Sequence, residues 1–255
     1  MPKRCAQEAP AGANYFIESL GEKLTTFLNS SKLGLATAVR LFEMFKDGKI
    51  SEEETTFVKK CLDELVFEII DGDLVNLNAY MEADPLTQSI YISSEWLTRA
   101  KNLSVDSLEL KRHQHLLLIK CLHEIGNILT PLFMEKLHMK KTKQGYSTPT
   151  RIGTMKKGRK TIGEAGYGLE EILNGGRMFH ERPKAFPAYH MEALVIEKMV
   201  DGKRKAFKIN DSFLKRSKKR LESFQVKDNE LIDIHREAFE LFIPSYNDDF
   251  LHYHS

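Results

Sequence analysis

Residues 116–130, LLLIKCLHEIGNILT, constrain this chain more than any other stretch. Their apolar residues recur at helical spacing, so the segment reads as a long helix largely enclosed by core. In the middle of that apolar run stand His123, Glu124 and Asn127. Positions four apart share a helix face, so His123 and Asn127 point the same way and Glu124 sits one step round. Ionisable groups inside so apolar a helix must be compensated by partners, because burying them bare is costly. Gly126 adds a second constraint. A glycine in mid-helix costs up to ~1 kcal/mol relative to alanine, which suggests that another backbone passes close by.

At 255 residues the chain is long enough to bury a substantial core, as one domain or two small ones. A hydrophobic content of 42% with 29% charged residues is ordinary for a globular protein, and a net charge of +2 implies no strong overall attraction to nucleic acid or anionic membrane. Three widely spaced cysteines, Cys5, Cys61 and Cys121, form no C-x-x-C pair, and Cys61 and Cys121 lie in helical stretches, so these two read as buried thiols in a reducing compartment. The first residues lack an apolar h-region, and no run reaches 18 uninterrupted apolar residues. The expectation is a cytoplasmic or nuclear protein without a membrane segment.

Residues 1–12 are small, polar and proline-containing, and are expected to be disordered. Residues 13–83 read as a helical region. Two helices over 15–45 break near Asn29-Ser30-Ser31, and Ser51 with Glu54 forms a capping box opening a helix to about residue 70. The turn 46–49 also resembles half of an EF-hand loop, but that alignment puts Phe45 where calcium needs an oxygen, so helix–turn–helix is preferred. After the turn Asp71-Gly72-Asp73 a helix is expected over 74–82. Residues 88–93 alternate as a strand, and Ser107 is a plausible N-cap for a helix over 108–129 ended by Thr130-Pro131. Residues 139–161 carry eight Lys or Arg and no acid, which reads as a basic loop. A helix follows over 163–173, stopped by Asn174-Gly175-Gly176. Asp201-Gly202 marks a hairpin within 191–209, helical stretches are expected over 211–224 and 228–242, and 246–255 reads as a loose tail. The class expected is α+β, mainly α: an N-terminal helical region followed by an α+β region over 84–245 with a small antiparallel sheet and a β-hairpin.

The order strand, H-E-x-x-N helix, loop and second helix bearing Glu164, Glu170 and Glu171 resembles the zincin metallopeptidases of gluzincin type, over roughly residues 86–176. In that family an edge strand lies beside the active helix, and a glutamate from a second helix is the third zinc ligand. The resemblance implies that His123 is a zinc ligand, Glu124 the general base, and Glu164 the downstream ligand, with Glu170 and Glu171 as alternatives. The chain departs from the family at Asn127, where the second histidine should stand. A neutral amide is a far poorer zinc ligand than imidazole, so Zn is expected to be weakly held or absent. The function implied is a metallopeptidase-like protein with an eroded zinc site, an inactive or weakly active hydrolase of peptide or protein. His113 and His115 stand too far along the helix to share a metal with His123, at 1.5 Å rise per residue; His138, His180 or His190 would have to fold back. The simplest alternative makes His123 and Glu124 the polar edge of a core helix. A separation beyond about 8 Å between His123 and every acid of 164–171 would remove the resemblance, since zinc bonds are ~2 Å.

A competing function class is a non-catalytic interaction module. Lys140, Lys141, Lys143, Arg151, Lys156, Lys157, Arg159 and Lys160 form one basic cluster. Lys203, Arg204, Lys205, Lys208, Lys215, Arg216, Lys218, Lys219 and Arg220 form another. Such clusters can neutralise phosphates of nucleic acid or acidic partners, serve as nuclear-localisation signals, or simply form solvated faces. The glycine-rich 163–168 follows a basic loop rather than a strand, which weakens it as a phosphate cradle. The oligomeric state has no sequence signal.

Overall fold

The computed structural model describes residues 34–70, 81–104, 107–141, 146–157, 160–181, 193–217 and 226–233. Helix α1 (Gly34–Lys46) is followed by α2 (Glu52–Asp63), whose capping box forms as the sequence predicts: Glu54 N donates to Ser51 Oγ at 3.2 Å and Ser51 N to Glu54 Oε2 at 2.6 Å. Strands β1 (Val66–Ile70), β2 (Met81–Asp84) and β3 (Ser89–Ser93) make a sheet of order β1-β3-β2, parallel between β1 and β3 and antiparallel between β2 and β3. Next come α3 (Ser94–Lys101) and the long α4 (Leu108–Lys136), capped by Ser107. A two-stranded ribbon, β4 (Thr154–Lys157) with β5 (Lys160–Gly163), leads into α5 (Ala165–Asn174). The rest is an antiparallel sheet of order β6-β7-β8-β9, built from Arg177–Glu181, Ala193–Val200, Lys203–Ile209 and Leu231–Asp233, with α6 (Asp211–Ser217) after β8. The chain is thus α+β, mainly α.

Several expectations are corrected. The helix opened at Ser51 stops at Asp63, and 66–70 is strand β1. Its apolar run suits either element, and pairing with β3, distant in sequence, decides the outcome. Residues 81 and 82 are strand, not helix; the remainder of 74–82 lies outside the described residues, as do 1–12, the first helix before Gly34 and the tail 246–255. Strand 89–93 is the centre of its sheet rather than its edge. The basic 139–161 is not all loop, because it contains β4 and the start of β5. Where a helix is expected over 228–242, residues 228–233 are a 3-10 turn (Asp228–Glu230) and then β9, and 234–242 lie outside the described residues. Pro131 does not end α4. It costs a helix about 3 kcal/mol, whereas the next turn buries Phe133 and Met134 at ~1.5–3 kcal/mol each, so burial wins.

α4 is the axis of one continuous core. Phe42 and Phe45 of α1 and Phe57 of α2 pack edge-on or tilted around Phe133 of α4, with Phe42 and Phe133 ring centroids 4.7 Å apart. The same cluster runs through Ile125 and Leu129 to Leu169, Met178 and Ile196, so it crosses the expected division at 83–84, which falls inside β2. By length and composition α4 could cross a bilayer, but 72% of its most apolar window is buried within the fold, which is how a core helix behaves. Cys61 and Cys121 are buried and form no disulfide.

Candidate functional site

At Gly126, α4 meets the start of α5 backbone to backbone, while the His123 ring lies against Gly166. A Cβ added to Gly126 would stand 2.9 Å from Ala165 O, and one added to Gly166 would stand 2.6 Å from Nε2 of His123. This is the close backbone approach that a mid-helix glycine foreshadows. It shuts the first N–H groups of α5 away from water, so protein groups must satisfy them. Glu164, the N-cap, does most of this: its Oε2 accepts from Tyr167 N at 2.6 Å and its Oε1 from Gly166 N at 3.3 Å. Asn127 Oδ1 shares the Gly166 N–H at 3.2 Å. The other end of that amide, Nδ2, donates to Glu124 Oε2 at 3.1 Å.

The His123 ring is held from both sides. Nδ1 lies 2.8 Å from Glu170 Oε1, and Nε2 lies 3.5 Å from Glu164 Oε1. Tyr167 sits edge-on to the imidazole with centroids 4.8 Å apart, and the Arg177 guanidinium covers the Tyr167 ring at 4.4 Å. Glu170 is fully buried and multiply satisfied: Lys120 Nζ reaches the same Oε1 at 2.9 Å, and Met178 N donates to Oε2 at 2.6 Å. The His123 distance to the acids of α5 therefore lies far inside the 8 Å that the resemblance required.

Electrostatics follow from these contacts. Burial alone would lower the His123 pKa, but the charge of Glu164 and the hydrogen bond to Glu170, helped by Glu124, outweigh it and raise it to about 9. At neutral pH both ring nitrogens then carry protons. Glu170 is buried, which pushes its carboxyl up, yet Lys120 and His123 hold it well below the usual range. Glu124 goes the other way. Burial raises its pKa more than His123 and the Asn127 amide lower it.

The expected site residues thus divide. His123, Glu124, Asn127, Glu164 and Glu170 converge, with Glu170 on the Nδ1 side of the imidazole, away from Nε2. Glu171, one residue on, faces elsewhere: its Oε1 takes Arg177 Nε at 2.9 Å and Arg204 Nη2 at 3.0 Å. Lys120 and Tyr167 went unnoticed in the sequence, although Lys120 stands three residues before His123 on the same face. His113 and His115 are buried farther up α4, and His138 is exposed at its end. Among the described residues, no group of three or more His, Cys, Asp or Glu is placed to hold a metal ion.

The donor set meets zinc's needs only in part. His123 Nε2 and Glu164 Oε1, 3.5 Å apart, stand near the ~3.3 Å that separates two ligands of one tetrahedral zinc with ~2 Å bonds. The third position fails. Asn127 is an amide with both ends engaged, so among the described residues no third nitrogen or carboxylate donor stands beside His123 and Glu164. The residues do not fit a catalytic zinc centre.

The basic clusters are partly spent inside the fold. Arg151 donates to the Met44 and Phe45 carbonyls at the end of α1, at 3.1 and 3.0 Å, and Arg204 is tied to Glu171 and Glu197. Lys140 and Lys141 are exposed beyond α4. Lys156 and Lys157 lie on β4, Lys160 opens β5, and Lys215 and Arg216 lie on α6. Lys143, Arg159, Lys218, Lys219 and Arg220 lie outside the described residues. Compared with known proteins, the chain matches no family model, no curated protein and no solved structure.

Proposed function

We propose that this chain is a metallopeptidase-like protein of zincin type whose zinc site has eroded, leaving peptide hydrolysis weak or absent. One observation carries the reading. The imidazole of the H-E-x-x-N helix has a carboxylate on Nδ1 and faces a second carboxylate with Nε2, both supplied by the following helix. Metal-ligating histidines usually carry such a carboxylate on their other nitrogen. Glu170 has that orienting role here, Glu164 the place of the downstream ligand, and Glu124 the place of the base. Asn127 is what withdraws the chemistry: its amide engages Glu124 and the α5 N-terminus instead of presenting a donor beside His123.

Elemental analysis tests this. The purified chain should carry well under one zinc per molecule, and Asn127→His should raise tightly held zinc toward one, lost again when His123→Ala is added. Stoichiometric zinc in the unmodified protein, lost on His123→Ala, would restore a working centre. No gain in Asn127→His, with its circular dichroism unchanged, would end the zincin reading. Binding of nucleic acid or acidic partners through the lysines of 139–160 and 203–220 is the other reading, and heparin retention that falls steeply with salt would support it.

A further inference from the structure

We propose that Asn127 ties α4 to the N-terminus of α5, doing with one amide what a bound metal would do, so that this joint forms and holds without metal. The proposal rests on the reading of α4 and α5 as an eroded zinc site and goes beyond it, because it assigns the altered position a job. The geometry supplies the argument. At Gly126 the backbone of α4 lies against that of Ala165 and Gly166, with the His123 ring packed beside it on Gly166, so the polar groups at the crossing must satisfy one another. Two needs meet at position 127: the Gly166 N–H, whose contact with Glu164 Oε1 is long at 3.3 Å, takes a second acceptor across the joint, and Glu124, half-buried, calls for a donor. An amide offers both from one short, uncharged side chain. Alanine offers neither, and leucine would put an apolar group between Glu124 and the α5 N-terminus.

The full-length chain is melted in chelator and again with added zinc chloride, beside Asn127→Ala and His123→Ala, and amide hydrogen exchange is followed at Gly166 and Tyr167. The expected result is a wild-type midpoint the same within about 1 °C in chelator and in zinc. Asn127→Ala should melt about 2–6 °C lower, as loss of a hydrogen-bonded pair does in a chain of this size. Its Gly166 amide should exchange at least tenfold faster, and zinc should not reverse the change. If Asn127→Ala does not fold, wild-type exchange decides: equal protection of Gly166 in chelator and zinc supports the tie, and protection that appears only with zinc overturns it. A wild-type midpoint that falls in chelator also overturns it, as does an Asn127→Ala protein that melts and exchanges like wild type. The underlying reading fails separately, if zinc is held tightly and His123→Ala releases it.

Discussion

Glu170 and Glu171 are neighbours in sequence, yet they anchor two quite different charged clusters. Glu170 turns toward α4, is fully buried, and is met by Lys120, His123 and the Met178 amide. Glu171 turns toward the β4–β5 ribbon and the sheet, keeps its side chain 35% exposed, and joins a ring with Arg177, Arg204 and Glu197 around Thr154. The second cluster is built from guanidiniums, whose charge does not change at any ordinary pH and whose fork of donors spans several acceptors at once. That is construction for position. The first contains an imidazole with a carboxylate on each side and a neighbouring glutamate pushed toward its protonated form. Titratable groups shifted this way cluster at functional sites, and structural ion-pair networks produce them as well. The lesson is that two ion networks of similar size can sit side by side, one of fixed charges and the other of groups that titrate.

The sharpest way to break this contrast is to delete each glutamate in turn. Glu170→Ala should cost about 3–5 kcal/mol in urea denaturation, because it strands Lys120 and His123 in the interior. Glu171→Ala should cost about 1 kcal/mol, since its partners keep Glu197 and water. Equal losses would erase the distinction. Next in size is Gly126→Ala, which gains up to ~1 kcal/mol of helix propensity but drives a methyl against Ala165 O. The net result should be a loss of about 1–3 kcal/mol, read by the same method. A neutral or stabilising outcome would mean that the helices part freely.

Acid and base should also separate the clusters. The folded pKa of His123 lies above its unfolded value of 6.5, so its contribution is fully present below that value and is lost as pH rises through about 9. Glu170 has a lowered pKa; its contribution is present above the ordinary 4.5 and is lost as pH falls toward about 2. Midpoints measured against pH should therefore decline on both limbs, and His123→Gln should flatten the alkaline one. An unchanged alkaline limb in that variant would detach His123 from the carboxylates. The smallest effect is expected at Thr154→Val, about 0.5–1.5 kcal/mol, since only one acceptor shared by Arg177 and Arg204 disappears.

Much of the site's neighbourhood was legible in residue order. The capping residues Ser51 and Ser107 act as expected, and Asn174-Gly175 ends α5 with Gly175 in the left-handed region at φ 74°. Asp201 and Gly202 turn the β7–β8 hairpin with φ values of 52° and 72°, the geometry that the pair favours. Each of these signals is local, acting within four residues. What stayed hidden depends on distant partners. The strand identity of 66–70 needs β3, α4 outlasts Pro131 because Phe133 and Met134 have a core to enter, and the lysine-rich 154–163 forms a ribbon whose Thr154 takes hydrogen bonds from Arg177 and Arg204.

By itself the sequence determined that a long apolar helix would carry a histidine, a glutamate and an asparagine on adjoining faces, and that Gly126 would admit another backbone. Helical periodicity and the steric size of a missing Cβ are enough for that. Only the tertiary structure decided which carboxylate takes which nitrogen of His123, that Glu171 looks away while Glu170 looks in, and that Asn127 spends its amide on Glu124 and Gly166. Those pairings follow from how α5 lies across α4, a matter of packing between segments some forty residues apart, and hydrogen-bonding capacity alone does not say which of several acids a buried imidazole will meet.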